Sequence, residues 1–477
     1  MDYIEGTDRD QQILFPQSLD ECIAQDNPVR VIDAFVESLD LPALGFTHTV
    51  LNETGRPPYH PGVLLRLYVY GYLNRLRSSR TLEREAQRNV EVMWLTGKLS
   101  PDFKTLANFR RNNRKAIREV CRAFTIFCRD LDLFSRDLVA IDGSKFKAVN
   151  SRQRNFTDRK LKQALKDIDQ KIEAYLEELD ANDALEPEER KLSAEELKEK
   201  IRLLKERLKK VKGLQRRMEE TGESQISLTD PDARSMPIGG GRITDVGYNV
   251  QVAVDPKHKL IVDHQVTNAV TERGLLARMA KRAKEALGVD RLDVLTDMGY
   301  YDGQQVKACL EAGITPYIPK PNTSANTPLG LFGKEDFRYD PQSDCYGCPA
   351  GEQLTFRWQS IEKGRERRYY TTPACARCAL KLQCTRDPQG RRITRWAYED
   401  LLDHMQGRVR ANPDKMRLRK QLVEHPFGTI KRAWNQSYFL TKGLESVNAE
   451  MSLTVLAYNL KRAIQILGVP RMMKALA

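Results

Sequence analysis

The sequence of 477 residues predicts a mixed α/β protein whose N-terminal part is all helical. Three observations carry that reading. From about Asp20 to Leu133 apolar residues recur at three- and four-residue steps; β-branched runs then alternate with helical patterns from Leu138 to Ile318; and a highly charged stretch with its own helical period interrupts that alternation.

The elements follow in order. In the N-terminal part Val63, Leu64, Leu67, Tyr68, Gly71 and Tyr72 mark one helix, Pro61 suits its first turn, and Ser79, Thr81 or Asp102 suit the caps of later ones. Arginines crowd this part, at Arg75, Arg77, Arg80, Arg84 and Arg88, and then Arg110, Arg111, Arg114 and Arg118. A basic helix beside a short turn can enter a DNA groove, whereas any single arginine is more often part of a solvated face. Leu138 to Val149 reads as a strand. Leu161, Leu165, Ile168, Ile172, Tyr175 and Leu179, and after a break near Pro187 Leu197, Ile201, Leu204, Leu208 and Val211, predict a coiled-coil hairpin inserted between two strands. Gly239-Gly240-Gly241 marks a joint without the spacing of a phosphate-binding loop. Beyond it, Gly247 to Val254, Leu260 to Val266, Leu292 to Thr296 and Ile314 to Ile318 read as strands, with helices over Glu272 to Leu287 and Gly303 to Ala312. Three strand signals followed by alternating helix and strand describe a sheet flanked by helices. That order suits a ribonuclease-H-like fold. The expected units are a helical DNA-binding part over 1–135 and a catalytic part over 136–477, the latter carrying the coiled coil at 157–222 and a Cys-rich insertion at about 335–400.

A formal charge of +13 and a pI near 9.2 favour a polyanionic partner. No apolar run is long enough for a bilayer, and Met1 to Glu5 lacks the parts of a signal peptide, so a cytoplasmic, nucleoid-associated protein with no membrane partner is expected. Of the nine cysteines, Cys345, Cys348, Cys375, Cys378 and Cys384 are crowded together. In a reducing compartment that crowding points to metal before disulfide, and the paired Cys-x-x-Cys spacing to a structural zinc.

Three acids stand out. Asp142 and Asp297 each end an apolar, β-branched run, which would bring them to the carboxyl edge of a sheet, and Glu424 lies on a basic helical segment. Each has a plainer reading: Asp142-Gly143 is also a hairpin-turn pair, and Glu424 among Arg417, Arg419, Lys420, Lys431 and Arg432 suits a solvated ion pair. Asp255, Asp263, Asp293 and Asp302 stand open as alternatives. Pro426 predicts a helix break just after Glu424. Hard carboxylates converging from distant segments suit magnesium or manganese and phosphodiester chemistry.

These stations resemble the DDE transposases of bacterial insertion sequences, most closely the eleven-eighty-two family, over nearly the whole length. The most specific parts are Phe15 through Arg111, with Gly55-Arg56-Pro57-Pro58-Tyr59-His60-Pro61, then Gly247-Tyr248-Asn249-Val250-Gln251 and Glu424-His425-Pro426-Phe427-Gly428-Thr429-Ile430-Lys431. The resemblance implies a helical end-recognition region and a ribonuclease-H-like domain whose metal-binding triad is Asp142, Asp297 and Glu424. Two magnesium ions roughly 3.5 to 4 Å apart would serve cleavage of the terminal inverted repeats and transfer of the 3′ ends to target double-stranded DNA. It also implies a homo-oligomer on DNA. Where related chains carry tyrosine, arginine, glutamate and lysine at fixed spacing, this one has Arg417, Lys420, Glu424 and Lys431, so the last two match and the first two do not. Arg110, Arg111, Arg114, Lys420 and Lys431 are the expected DNA contacts. Two rivals are a repurposed DNA-binding protein without activity and a structure-specific nuclease of the same fold.

Overall fold

A computed structural model describes residues 18–50, 57–149, 155–182, 193–223, 225–238, 243–322, 324, 326–362 and 364–477. The break near Pro187, the glycine triplet and the Gly55-Arg56 start of one motif lie outside the described residues.

Among the described residues six helices come first: α1 (Pro28–Glu37), α2 (Pro61–Leu73), α3 (Ser79–Arg88), α4 (Val90–Thr96), α5 (Phe103–Asn112) and α6 (Arg114–Asp130). Their starts are encoded locally. Asn27 accepts a hydrogen bond from Val29 N with Pro28 in the first turn, His60 caps α2 ahead of Pro61, and Asp102 accepts from Lys104 and Thr105.

Strand β1 (Leu138–Lys147) enters the main sheet. The charged stretch forms β2 (Asn155–Thr157), α7 (Asp158–Asn182), α8 (Ala194–Thr221) and β3 (Gln225–Ser227). Because β2 and β3 pair antiparallel, the start of α7 and the end of α8 meet at the base of the hairpin. Its seam holds Leu161, Ile168, Val211 and Met218, with Leu165, Ile172, Leu204 and Leu208 beside them.

Then come β4 (Arg234–Ile238), β5 (Ile243–Val254), β6 (Ile261–Thr267), α9 (Leu276–Leu287), β7 (Leu292–Leu295), α10 (Gly303–Glu311) and β8 (Ile314–Tyr317). The sheet runs β4-β5-β1-β7-β8, with β6 also on β5; β5 is antiparallel to β1, and β1, β7 and β8 are parallel. A second, five-stranded sheet is made by β9 (Arg338–Asp340), β10 (Cys345–Gly347), β11 (Gln353–Glu362), β12 (Arg365–Thr371) and β13 (Ile393–Trp396), with the single turn α11 (Lys381–Cys384) between the last two strands. It has its own small core of Phe337, Tyr346, Leu354, Tyr370 and Ile393.

Helices α12 (Glu399–Ala411), α13 (Pro413–Gly428), α14 (Leu444–Leu467) and α15 (Val469–Leu476) finish the chain. α13 does not break after Glu424. It continues through Pro426 and runs into a π turn at Thr429–Ala433, because a proline in the last turn removes only one backbone bond and its ring packs into the core. α14 is buried along most of its length and closes the edge of β6. Asn459 accepts from Ile261 N at 2.9 Å and donates to Ile261 O at 2.8 Å, and Asn448 makes the same pair with Val266 at 2.8 and 3.2 Å. Side-chain amides thus satisfy a strand edge that would otherwise offer free backbone groups, at about 1 kcal/mol per bond. Glu450, on the same helix and 1% exposed, accepts from Leu440 N and Thr441 N and faces Arg77 at 3.5 Å, tying the helical part to the sheet.

Candidate active site

Parallel pairing sets Leu138 beside Asp293, Val139 beside Val294 and Ala140 beside Leu295. Carried two residues further, the same register puts Asp142 next to Asp297. Asp142 lies within β1, opposite Val252 of β5, while Asp297 stands just past β7 and accepts from Gly299 N at 2.9 Å as the cap of the turn Met298–Tyr300. The Asp142-Gly143 pair is not a hairpin turn. Gly143 sits inside the strand because a Cβ there would run into the Gln251 amide and reach 2.9 Å from Asn249 Oδ1. Alternate residues of the Gly247–Gln251 motif therefore line this face: Gln251 donates to Asn249 Oδ1 at 3.0 Å and accepts from the Tyr300 hydroxyl.

A cation bridges the two acids. Arg419 of α13 places Nη2 3.0 Å from Asp142 Oδ2 and 3.8 Å from Asp297 Oδ2; its side chain is 16% exposed, and its buried Nε has no hydrogen-bond partner. Burial pushes the Asp142 carboxyl up to about 6; Arg419 and the Gly143 N–H pull it down, and the charges of Asp297 and Glu272 add to the rise. Glu272, just ahead of α9, pairs with Lys145 and accepts from Asn249 Nδ2 at 3.4 Å. The point where a Cβ on Gly299 would stand is 3.0 Å from Asp297 Oδ1 and 3.5 Å from Glu272 Oε2, so Glu272 reaches the same corner.

Glu424 does not join them in this arrangement. Its side chain is 66% exposed and faces Lys420 at 3.9 Å, one helical turn away. Among the described residues no group of three or more His, Cys, Asp or Glu side chains stands close enough to hold a metal ion. Asp142 and Asp297 do fit magnesium as a pair, since that ion takes one or two carboxylates and keeps its waters, and the guanidinium marks a cation position between them.

The other acids weighed from the sequence have separate partners. Asp255 accepts from Ser135 N at 2.9 Å, Asp263 pairs with Arg282 at 2.8 Å, Asp293 with Lys415 at 2.6 Å and Asp302 with Arg365 at 2.6 Å. Arg419 and Glu272 were not singled out from the sequence. Arg419 had a signal, for it lies on one helical stripe with the buried Leu422, Val423 and Pro426; Glu272 had none beyond opening a predicted helix.

The expected DNA contacts divide. Arg110 stacks over the Tyr68 ring at 5.6 Å with a buried Nη1, and Arg114 faces Glu445 at 3.7 Å. Lys431 donates to Lys145 O at 2.6 Å above the Phe146 ring, and burial, with Lys145 nearby, lowers it to about 8. Arg111 and Lys420 are exposed.

The crowded cysteines also divide. Cys348, Cys375, Cys378 and Cys384 line one small apolar cavity with Phe332, Leu354 and Leu380, whereas Cys345 is buried in β10 with Sγ 3.0 Å from Ser343 Oγ. Burial raises the Cys384 thiol, Arg391 opposes it, and Cys375, Cys348 and Cys378 raise it further, as expected of near neighbours. Gly390, at φ +97°, closes over Cys375, whose Cβ lies 2.5 Å from where a side chain would begin. Thiols are the donor type of a structural zinc, but these four line the cavity without standing together as a metal site in this arrangement.

Residues 17–112 match a family described as Transposase domain (DUF772), and residues 347–464 match one described as Transposase DDE domain. The second match includes Glu424 and Lys431 but neither Asp142 nor Asp297. No curated protein and no solved structure matches the chain. Among the described residues no helix is long and apolar enough to cross a membrane. Both matched families are transposase domains, which supports a DDE transposase of an insertion sequence.

Proposed function

We propose that this protein cuts the ends of its own mobile element at the Asp142–Asp297 corner and joins the freed 3′ ends to target DNA, as expected of the eleven-eighty-two family. The observation that carries this reading is the placement of two hard carboxylates on neighbouring parallel strands with a cation between them. The strand order β6-β5-β1-β7-β8, with the first two pairings antiparallel and the last two parallel, supports a ribonuclease-H-like sheet.

Asp142 and Asp297 would hold magnesium or manganese. A bound ion would supply Lewis acidity and a nucleophile at neutral pH, and a second would balance the leaving oxygen. The chain's own share is orientation. Gly299 N fixes one Asp297 oxygen, Gly143 N fixes one Asp142 oxygen, and the Gln251–Tyr300 and Glu272–Lys145 pairs brace the floor beneath. Arg419, once released from the acids, is placed to meet a phosphate. Two ends must be handled together, so a homo-oligomer on DNA belongs to this reading. Cys348, Cys375, Cys378 and Cys384 would hold a structural zinc in the insertion.

The outward-facing Glu424 favours a second reading, a DNA-binding protein that has lost strand cleavage. The test incubates the purified protein with magnesium and labelled duplexes taken from either side of its own gene. Nicking at a repeat boundary followed by insertion into a plasmid is the expected result. Asp142→Asn and Asp297→Asn, confirmed folded, should each lose more than about 100-fold in rate, the upper range for groups that only support a metal ligand. Glu424→Gln and Glu272→Gln are compared in the same assay: the one that falls with the aspartates is the third acid. Full cleavage by both aspartate variants would sink the proposal, and absence of cleavage by the parent with retained DNA binding would establish the second reading.

A further inference from the structure

Of the five cations nominated from the sequence, Arg110 and Lys431 are engaged inside the fold and Arg114 faces an acid, so a further path for a polyanion is worth seeking elsewhere. A cleft of about 540 Å³ lies between the insertion sheet and the loop that follows Asp297. Its lining carries Arg273, Lys320, Lys334, Arg365 and Arg367 against only Asp302 and Glu399. Arg365 pairs with Asp302 at 2.6 Å and Lys334 with Glu399 at 2.8 Å. That leaves Arg367, whose partner Glu362 is half-exposed at 3.2 Å, and the exposed Arg273 and Lys320, for which no side-chain ion pair is found among the described residues.

The cleft adjoins the acids on both walls. Arg273 directly follows Glu272, and Tyr301 to Gln304 directly follow the turn capped by Asp297. The insertion sheet is also locked against that loop, since a Cβ on Gly303 would stand 2.7 Å from the Trp396 ring. By strand alternation Arg365, Arg367 and Tyr369 share one face of β12 with Trp396 of β13 and Trp358 of β11. Trp358 stacks on Tyr369 at 4.8 Å and 5°, and is 42% exposed. Exposed or lightly paired cations in a cleft whose β12 face continues to an exposed aromatic suit a nucleic-acid strand, whose phosphates meet the cations and whose bases meet the ring.

We propose that this cleft carries the phosphodiester backbone of the DNA strand leading to the Asp142–Asp297 corner, with Arg273, Lys320 and Arg367 as phosphate contacts. The inference rests on the transposase reading and adds the surface. It is tested on the full chain in EDTA, where no cutting occurs, with a fluorescein-labelled duplex of several helical turns titrated across a range of salt. Arg273→Ser with Arg367→Ser should weaken binding several-fold and reduce the slope of log affinity against log salt by about 0.9 for each lost phosphate contact. Arg207→Ser, an exposed arginine on α8, should leave the slope unchanged. Should the paired variant melt early, Arg273→Glu alone gives the same reading from an exposed position. An unchanged slope in these variants overturns the cleft, as does an equal fall from Arg207→Ser or displacement of the duplex by inorganic phosphate at equal charge concentration. A parent protein with no salt-dependent DNA binding overturns the transposase reading as well, so the two failures are told apart.

Discussion

The acid corner and the thiol cavity both gather residue types that can ligate metals, yet their surroundings differ. At the acid corner a cation is already built in: Arg419 spans Asp142 and Asp297, and Lys145 pairs with Glu272. The corner thus carries two counter-charges of its own, and the parallel β1–β7 pairing with α13 sets its geometry. At the thiol cavity Lys381 and Arg391 stand in the lining, but among the described residues no cation is ion-paired between the sulfurs. Its four sulfurs border an apolar space, next to a core of only a few side chains. On the proposed reading, an ion at the first place would have to displace a side chain and would change little of the fold, whereas an ion at the second would supply cohesion that a small core cannot.

The largest expected effect tests the second half of that contrast. Protein purified without chelator should contain one zinc per chain. Cys378→Ser with Cys384→Ser should abolish it and cost the insertion several kcal/mol, since a structural zinc in a small module contributes on the order of 10 kcal/mol at neutral pH. The readouts are zinc content and amide exchange, which should quicken over β9 to β13 and stay slow in β1, β5 and β7. Cys345→Ser should keep its zinc. Loss of zinc from that variant, or zinc-free parent protein, would refute the assignment.

The same contrast governs how much could be read from the sequence. The apolar runs that end in Asp142 and Asp297 were legible, because a strand buried on both faces needs continuous β-branched residues; Asp297 does follow its strand, whereas β1 continues through Asp142 to Lys147 against β5. The hairpin seam through Leu161, Ile168 and Val211 was legible for the same kind of reason, a period repeated over many turns. The surroundings of the arginines in the helical part were not. Arg110 and Arg114 sit at helical spacing like any solvated arginines, and only the structure shows Arg110 set over the Tyr68 ring and Arg114 facing Glu445. Along α13 the phase decides. Arg419 and Glu424 are five residues apart, about 140° around a helix, so burying the stripe of Arg419, Leu422, Val423 and Pro426 turns Glu424 to solvent. Glu272 and the strands of the insertion gave no periodic sign, since β11 is exposed nearly throughout.

A smaller effect concerns pH at the corner. Burial raises the Asp142 carboxyl to about 6, so the folded protein holds a proton there that the unfolded chain gives up near pH 4. Stability should therefore fall as pH rises from about 4 to 6 and level off above, the reverse of an ordinary paired aspartate. Asp142→Asn should flatten that slope and raise stability at neutral pH by about 1 to 2 kcal/mol, measured by denaturant titration at several pH values. Manganese affinity of the parent should drop as pH falls through 6. If Asp142→Asn instead destabilises the protein at neutral pH, Arg419 pairing outweighs burial and the pH dependence has the opposite sign.

The smallest and sharpest test separates a structural arginine from a stand-in cation. If Arg419 only braces the fold, Arg419→Met should lower the melting temperature and leave manganese affinity unchanged or weaker, because the loosened corner presents its acids less well. If it occupies the ion's place, the variant should also melt lower without metal, since Asp142 and Asp297 then repel each other, but manganese should bind several-fold tighter and restore more of the lost stability than it adds to the parent. Two unit charges about 4 Å apart at an effective dielectric near 20 interact by about 4 kcal/mol, so removal of the competing charge is large enough to be seen after side-chain relaxation has reduced it. Titration calorimetry without DNA, well above the Asp142 titration, distinguishes the two. Equal or weaker binding by Arg419→Met would show that the corner is held together by this arginine and not kept ready for exchange.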